Sequence, residues 1–145
     1  MNSLLNILLV DDNPADVVLM QEGLAGGQSK SCIHSVADGK QAIAYLNRTG
    51  PYANAPRPDL MILDLNLPKK DGRAVLAEIK GDAKLRSIPI IIFSTSRSLP
   101  EIVRSYELGA NCYVSKPGNL GEYFQTVKSI EEFWLGSASL PLEGK

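Results

Sequence analysis

Three short runs of apolar residues most constrain how this chain can fold. Residues 7–10, 60–63 and 90–93 contain no polar side chain. A strand with one face in water alternates polar and apolar positions, whereas a strand that is covered on both faces does not. The runs therefore predict central strands of a parallel sheet with helices packed on both of its faces.

Segments with helical spacing of apolar residues separate these runs from one another. Five alternations of strand and helix predict an α/β protein with a doubly wound parallel sheet and right-handed crossovers. For five such units we expect the flavodoxin-like (βα)5 strand order 2-1-3-4-5. The predicted strands are residues 3–10, 32–37, 60–64, 89–94 and 112–114, and the predicted helices are residues 14–25, 39–47, 71–79, 100–108 and 119–134.

The length of 145 residues is sufficient for one domain with a sizeable core. We assign residues 1–135 to that domain and predict that residues 136–145 form a flexible tail. Cys32 and Cys112 are too few and too far apart for a metal cluster, so we expect buried free thiols.

Charge and hydropathy narrow the classes of partner. The formal net charge of −1 argues against nucleic-acid binding, which normally requires a basic patch or stripe. No apolar run approaches the length of a membrane span, which argues against a membrane partner. The first residues lack the basic region and long apolar core of a signal peptide, and we therefore predict a cytoplasmic protein.

Charged and hydroxylated side chains follow the predicted strands at the point where each strand ends. They are Asp11 and Asp12, Asp64, Ser94 and Thr95, and Lys116. Strand ends of a parallel sheet share one edge, so these residues should converge there. Clustered carboxylates repel one another unless a cation lies among them, and oxygen ligands without His or Cys favour Mg²⁺. With a lysine and a hydroxyl nearby, the set predicts a site for a phosphoryl group on a carboxylate nucleophile, although Asp64 taken alone could simply cap a turn.

These motifs resemble the receiver domains of two-component response regulators. The resemblance covers nearly the whole chain in the order and spacing of that family. The proline-rich loop at residues 49–58 and the ending at residues 131–135 are most similar to the small stand-alone response regulators of cyanobacterial phytochromes. The matching residues are Leu9-Val10-Asp11-Asp12-Asn13, Leu63-Asp64-Leu65-Asn66-Leu67-Pro68, Asp71-Gly72, Ser94, Gly109-Ala110 and Lys116-Pro117.

The resemblance implies a phosphorylation switch and not an enzyme that acts on a separate substrate. Asp64 would accept a phosphoryl group from a histidine kinase, for which a phytochrome is the expected candidate. Asp11, Asp12, Asp64 and the backbone carbonyl of Asn66 would hold Mg²⁺, for which Mn²⁺ or Ca²⁺ could substitute.

The resemblance also implies roles for residues on the fourth and fifth strands. Lys116 would pair with a phosphoryl oxygen, and the Ser94 hydroxyl would move towards the phosphoryl group. Thr95 would line the entry to the site, and Tyr113 would be the aromatic residue that moves with the switch. Pro117 would follow a cis peptide bond.

The last helix carries more apolar residues than one packed face requires. A core stripe is expected from Leu120, Phe124, Val127 and Trp134. We interpret the surplus as a contact surface, either for a second copy of the chain or for a kinase, and we favour a homodimer. Output would then pass through the dimer or through an unidentified downstream protein. The predicted dimer or partner face consists of Ile102, Tyr106, Tyr123, Ile130, Phe133 and Trp134.

Three other functions fit parts of the pattern. An aspartyl phosphatase would need a second acid two residues after its nucleophile, where this chain has Asn66. A binding module that has lost phosphorylation would usually lack one of the Asp or Lys residues. A flavin protein of the same fold would need a phosphate-binding loop after the first strand. The single histidine, His34, and the pair Lys69-Lys70 are interpreted as structural or surface residues.

Overall fold

Five strands alternate with five helices in the computed structural model, which describes residues 4–25 and 31–142. The α/β class predicted from the sequence is confirmed. Within this part of the chain, no helix is long and apolar enough to span a membrane. The elements are β1 (Leu5–Val10), α1 (Pro14–Ala25), β2 (Ser31–Val36), α2 (Gly39–Leu46), a 3-10 helix (Gly50–Tyr52), β3 (Leu60–Leu63), α3 (Gly72–Lys80), β4 (Ile90–Ser94), α4 (Leu99–Glu107), β5 (Cys112–Ser115), α5 (Leu120–Ile130) and a π-helical segment (Glu131–Ser137).

The strands form one parallel sheet in the order β2-β1-β3-β4-β5, which confirms the predicted topology. The register pairs Val10 with Leu63 across β1 and β3, and Leu63 with Ile92 across β3 and β4. The residues that follow β1 and β3 are therefore adjacent at one edge of the sheet. This edge is the place where open α/β sheets bind their ligands.

Two hydrophobic cores cover the two faces of the sheet. Leu8 and Val10 of β1 pack into one core, with α2 and α3, whereas Ile7 and Leu9 pack into the other, with α1 and α5. Because each fully buried aliphatic side chain contributes roughly 1.5–3 kcal/mol, a polar residue in these strands would be costly. This explains the continuous apolar runs in the sequence.

Helix termini agree closely with the signals in the sequence. Pro14 is the first residue of α1, and the Asn13 side chain accepts a hydrogen bond from the Ala15 backbone N–H at 2.9 Å. In the sequence, Asn13 and Pro14 are typical of a helix cap and of the first helical position, and the structure confirms both roles. The pair Gly26-Gly27 in the sequence predicts the end of this helix, and both residues lie outside the described part of the chain.

The C-terminal helical structure is longer than the sequence predicts. The π-helical segment continues α5 as far as Ser137, beyond the predicted domain end at residue 135. Residues 138–142 follow without helical structure, and residues 143–145 lie outside the described part of the chain. The flexibility of the tail stays a prediction.

Candidate functional site

Three carboxylates meet where β1 and β3 end. Asp11 is buried, Asp12 is exposed and Asp64 is half-buried, and one oxygen of each lies within 4.8 Å of the others. The register of the two strands produces this cluster, since Asp11 and Asp64 each follow one member of the pair Val10–Leu63. The donor set contains only oxygen atoms, so it fits a hard divalent cation.

Backbone contacts hold the two inner carboxylates in place. The Asn13 N–H donates to Asp11 Oδ1 at 2.9 Å, and the Asn66 N–H donates to Asp64 Oδ1 at 3.3 Å. Gly72, at the start of α3, has no room for a side chain, because a Cβ there would lie 2.2 Å from the Asp64 carbonyl oxygen. The motif Asp71-Gly72 thus lets the first turn of α3 pack directly against the strand end.

Lys116 extends from the end of β5 into the carboxylate cluster. Its Nζ donates to Asp11 Oδ2 and Asp64 Oδ2 at 2.9 Å each, and to Asp16 Oδ2 at 3.0 Å. The side chain is only 5% exposed. The ring of Phe93 lies beneath it, with Nζ 5.7 Å from the ring centroid. The lysine is therefore a fixed positive charge at the centre of the site.

Burial and neighbouring charges act in opposite directions on these groups. Burial favours the neutral amine of Lys116, but hydrogen bonds and charges from Asp11 and Asp64 outweigh it and raise the pKa of Lys116. Burial raises the pKa of Asp11, although the Asn13 N–H and Lys116 both favour its charged form. The lysine thus stays charged at neutral pH, and the buried Asp11 carboxylate is stabilised by any further cation nearby.

Asp16 was not among the residues selected from the sequence. It lies in the first turn of α1. An acidic residue there is stabilised by the positive end of the helix dipole, so its presence needs no role in the site. Its position four residues after Asp12 was the only signal for a role in the site, and this signal also fits a simple helix terminus.

The two hydroxyl residues that follow one another at the end of β4 differ in environment. Ser94 is fully buried, and its Oγ accepts a hydrogen bond from the Ser96 N–H at 3.4 Å. The Lys116 N–H donates to the Ser94 carbonyl at 2.7 Å, which joins the ends of β4 and β5. Thr95 is exposed.

Tyr113 connects β5 to the segment between β4 and α4. Its hydroxyl donates to the Ser96 carbonyl at 2.9 Å, and its backbone N–H donates to the Tyr106 hydroxyl at 3.1 Å. Ser115 Oγ also donates to the Ser96 carbonyl, at 3.3 Å. A displacement of Ser96 would therefore alter its two hydrogen bonds with β5, and through Tyr113 the contact of β5 with Tyr106 of α4.

An ion pair that was not predicted joins α3 to α4. The Arg73 guanidinium contacts both Asp71 and Glu101. A hydrogen bond from the Ser96 side chain and the charge of Arg73 lower the pKa of Glu101. The start of α4 is thus tied to the same segment that carries Ser94 and Ser96.

The prediction of a cis peptide bond before Pro117 is wrong. The Lys116–Pro117 bond is trans, and no cis bond occurs among residues 4–25 and 31–142. Trans is the lower-energy form of an X–Pro bond by about 0.5–1 kcal/mol. Lys116 reaches all three of its carboxylate partners with the trans bond, so its contacts do not require the cis form.

The predicted partner face is partly wrong. Tyr123 and Ile130 are only 4% and 5% exposed and pack in the core against the sheet, whereas Leu120, expected in the core, is 56% exposed. Val127 lies between the two buried residues on the same side of α5, which shows how the helix is rotated. Of the remaining predicted residues, Tyr106 and Phe133 are exposed, and Ile102 and Trp134 are half-buried.

The other residues singled out in the sequence make their contacts with residues outside the carboxylate cluster. Cys32 and Cys112 are free thiols, as expected, but only half-buried. His34 lies on β2, at the edge of the sheet, and contacts Cys32 and Asn6. Lys69 forms an ion pair with Asp38.

Comparison with known proteins identifies the family. The response regulator receiver domain matches residues 7–128, which is most of the chain. The chain belongs to the response regulator receiver domain family. This membership confirms the resemblance found in the sequence and sets aside the aspartyl phosphatase and the flavin protein.

Two relatives of this receiver domain are similar along nearly their whole length. The response regulator Rcp1 of Synechocystis sp. is 47% identical over 135 residues, which cover 93% of this chain and 92% of Rcp1. The phosphorylated cyanobacterial phytochrome response regulator RcpA is 54% identical, with a TM-score of 0.92 over 96% of this chain and 99% of RcpA. The Mn²⁺-bound structure of Rcp1 has a TM-score of 0.91 over 94% of this chain and 98% of that structure.

Proposed function

We propose that this receiver domain is a phosphorylation-controlled response regulator in which Asp64 accepts a phosphoryl group from a histidine kinase. The observation that carries the proposal is the position of the Asp64 carboxylate. It lies 2.9 Å from the ammonium of Lys116 and beside the two other carboxylates with which it can share a cation. A nucleophilic oxygen, a fixed positive charge and a cation site are the elements that phosphoryl transfer requires.

Mg²⁺ is the proposed cofactor, held by Asp11, Asp12 and Asp64 with the backbone carbonyl of Asn66 as a further ligand. The oxygen-only donor set supports a hard cation. The Mn²⁺-bound structure of Rcp1 supports a divalent ion and makes Mn²⁺ a suitable substitute, with Ca²⁺ as another. When bound, the cation neutralises charge on the carboxylates and on the incoming phosphoryl oxygens.

The residues of the chain supply the nucleophile and its surroundings. A carboxylate oxygen of Asp64 forms the new bond to phosphorus as the bond between phosphorus and the imidazole nitrogen of the kinase breaks. The product is an acyl phosphate on Asp64, and the electron pair of the broken bond returns to the imidazole. Lys116 stabilises charge on a phosphoryl oxygen throughout, because its ammonium is fixed beside Asp64 before the reaction begins.

The switch starts at Ser94. We infer that the phosphoryl group attracts the Ser94 hydroxyl, which ends its contact with the Ser96 N–H. Ser96 accepts the hydrogen bond of Tyr113 and donates to Glu101, so its movement changes both β5 and the start of α4. The phosphoryl group thereby favours one of two arrangements of this segment.

Output is proposed to occur through a changed surface on α4 and the C-terminal helix, in a homodimer or in a complex with a downstream protein. Tyr106 and Phe133 are 49% and 55% exposed, and Leu99 and Val103 add further exposed apolar area on α4. The kinase is proposed to be a phytochrome. The similarity to RcpA, a cyanobacterial phytochrome response regulator, supports this choice.

Phosphotransfer from a purified kinase tests the proposal. A phytochrome histidine kinase, labelled with phosphate on its histidine, is mixed with the natural chain or with Asp64→Asn in the presence of Mg²⁺. We expect the label to move rapidly to the natural chain and not to the variant. Equal transfer from a histidine kinase of another class would contradict the phytochrome assignment. No transfer from either kinase would contradict the proposed phosphoacceptor.

A further inference from the structure

The hydrogen bonds of Lys116 are fully used. An ammonium group has three N–H donors, and the structure provides three carboxylate acceptors at 2.9–3.0 Å. Asp11 and Asp64 belong to the cation and phosphoacceptor site. The third acceptor, Asp16, belongs to neither, since it is not one of the three carboxylates that can share a cation.

Asp16 is held in this position by its own helix and by α5. The Asn13 side chain caps α1 through the Ala15 N–H, and the Tyr123 hydroxyl donates to the Asp16 backbone carbonyl at 3.3 Å. The Asp16 side chain is 20% exposed, so it is more shielded than an ordinary acid at a helix start. Its contact with Lys116 is therefore part of a fixed arrangement.

The lysine does not depend on Asp16 to stay in the site. Two other carboxylates hold its ammonium at 2.9 Å, and both come from central strands of the sheet. Asp16 therefore adds one negative charge to the site, and its hydrogen bond draws the Lys116 ammonium towards α1. Three carboxylates contact the ammonium and Asp12 adds a fourth negative charge to the site, so the ammonium and a bound dication together leave the four carboxylates incompletely neutralised.

We propose that Asp16 is a positioning residue that acts through Lys116 and restrains phosphoryl transfer to Asp64. This inference rests on the proposed function. For Lys116 to contact a phosphoryl oxygen, one of its three hydrogen bonds must be given up. Asp16 is the acceptor that can be released without disturbing the phosphoacceptor or a cation ligand, so it competes with the phosphoryl group for the lysine.

The competition predicts two effects of opposite sign when the charge is removed. Asp16→Asn makes the site less negative, so the affinity for a divalent cation falls. The same change frees Lys116 and reduces repulsion of the incoming phosphoryl group, so transfer at saturating cation becomes faster. If Asp16 only stabilised the start of α1, its loss would leave the transfer rate unchanged or lower it.

The test compares Asp16→Asn with Asp16→Glu, which keeps the charge, and with Glu22→Gln, which removes a charge from an exposed position on the same helix. Mn²⁺ affinity is measured from the electron paramagnetic resonance signal of free Mn²⁺. The rate of phosphorylation by acetyl phosphate is measured by intact mass at saturating Mg²⁺. Thermal unfolding confirms that each variant is folded.

We expect Asp16→Asn to bind Mn²⁺ more weakly and to be phosphorylated about threefold to tenfold faster, as for one unit charge roughly 6 Å away at an effective dielectric constant of about 40–80. Asp16→Glu should keep the Mn²⁺ affinity and the slower phosphorylation rate of the natural chain. Glu22→Gln should change neither the Mn²⁺ affinity nor the rate. An Asp16→Asn rate equal to or below that of the natural chain overturns the inference alone. If the natural chain takes up no phosphoryl group, the proposed function fails and this inference fails with it.

Discussion

The carboxylate site and the surface formed by α4 and the C-terminal helix are built in different ways. Each main residue of the site directly follows a strand, so the sheet register brings Asp11, Asp64 and Lys116 to one edge, where the long Lys116 side chain reaches the two carboxylates. The residues of the surface lie on helices, and their exposure depends on how each helix is rotated. In an α-helix a shift of one residue turns a side chain by about 100°. Strand ends are therefore the more reliable guide to function in this fold.

The C-terminal helix illustrates the less reliable case. Tyr123 and Ile130 are aromatic or aliphatic in the same way as Phe133, yet the first two are in the core and the third is 55% exposed. Because α5 and the π-helical segment carry apolar residues on several sides, composition does not tell the packed side from the free side. Contact with β4 through Phe93 and Tyr123 determines the rotation.

Substitutions on this helix give the largest expected difference. Tyr123→Ala should lower the free energy of unfolding by about 3–5 kcal/mol, because it removes a buried aromatic ring. Phe133→Ala, the matched control, should change it by less than about 0.5 kcal/mol, as surface changes usually do. Urea unfolding measures both values. A loss at Phe133 as large as that at Tyr123 would contradict the assignment of core and surface.

The second prediction concerns the ion pairs within the site. Lys116→Met leaves the buried Asp11 carboxylate without its cationic partner, which should cost about 3 kcal/mol of stability in the absence of divalent cations. Protonation of Asp11 relieves part of this cost, so the deficit should shrink as the pH falls. Urea unfolding between pH 5 and 8 in the presence of EDTA provides the measurement. A deficit that is constant or grows towards low pH would be inconsistent with this explanation.

Much of the site, but not all of it, could be predicted from the sequence. Asp11, Asp64 and Lys116 are charged residues at the ends of predicted strands. A charged side chain is seldom needed for folding at such a position, so the three residues stand out in the sequence as candidates for a site. Asp16 has an ordinary explanation at a helix start, so its contact with Lys116 becomes visible only when β5 and α1 are placed together. The Arg73–Glu101 pair joins residues 28 positions apart on two helices, and no local pattern indicates it.

Cation binding offers a third test, since the strand-end site should respond and the helical surface should not. Mg²⁺ at about 100 times its dissociation constant should stabilise the folded chain by about 2.7 kcal/mol. Asp12→Asn removes one of the three clustered carboxylates and should reduce this gain at the same Mg²⁺ concentration. Thermal unfolding with and without Mg²⁺ reports the gain. Equal stabilisation of the natural chain and the variant would place the cation elsewhere.

The smallest expected effect is at the link between the two regions. Glu101→Gln breaks the Arg73–Glu101 pair, and because both side chains are about one-third exposed the loss should be below about 1 kcal/mol. The pKa of Glu101 is lowered in the folded state, so its stabilising effect is present above its ordinary pKa of 4.5 and disappears as the pH falls further. The natural chain and the variant should thus differ in stability at pH 7 and become alike near pH 3. A difference that persists at pH 3 would show that the ion pair is not its cause.

The most direct test of the central claim is intact mass after incubation with Mg²⁺ and acetyl phosphate. The account predicts that the natural chain gains one phosphoryl group, and that the gain is absent without Mg²⁺ or in Asp64→Asn. A folded natural chain that binds Mg²⁺ but gains no mass, or an Asp64→Asn variant that gains the same mass, would contradict the assignment of Asp64 as the phosphoacceptor.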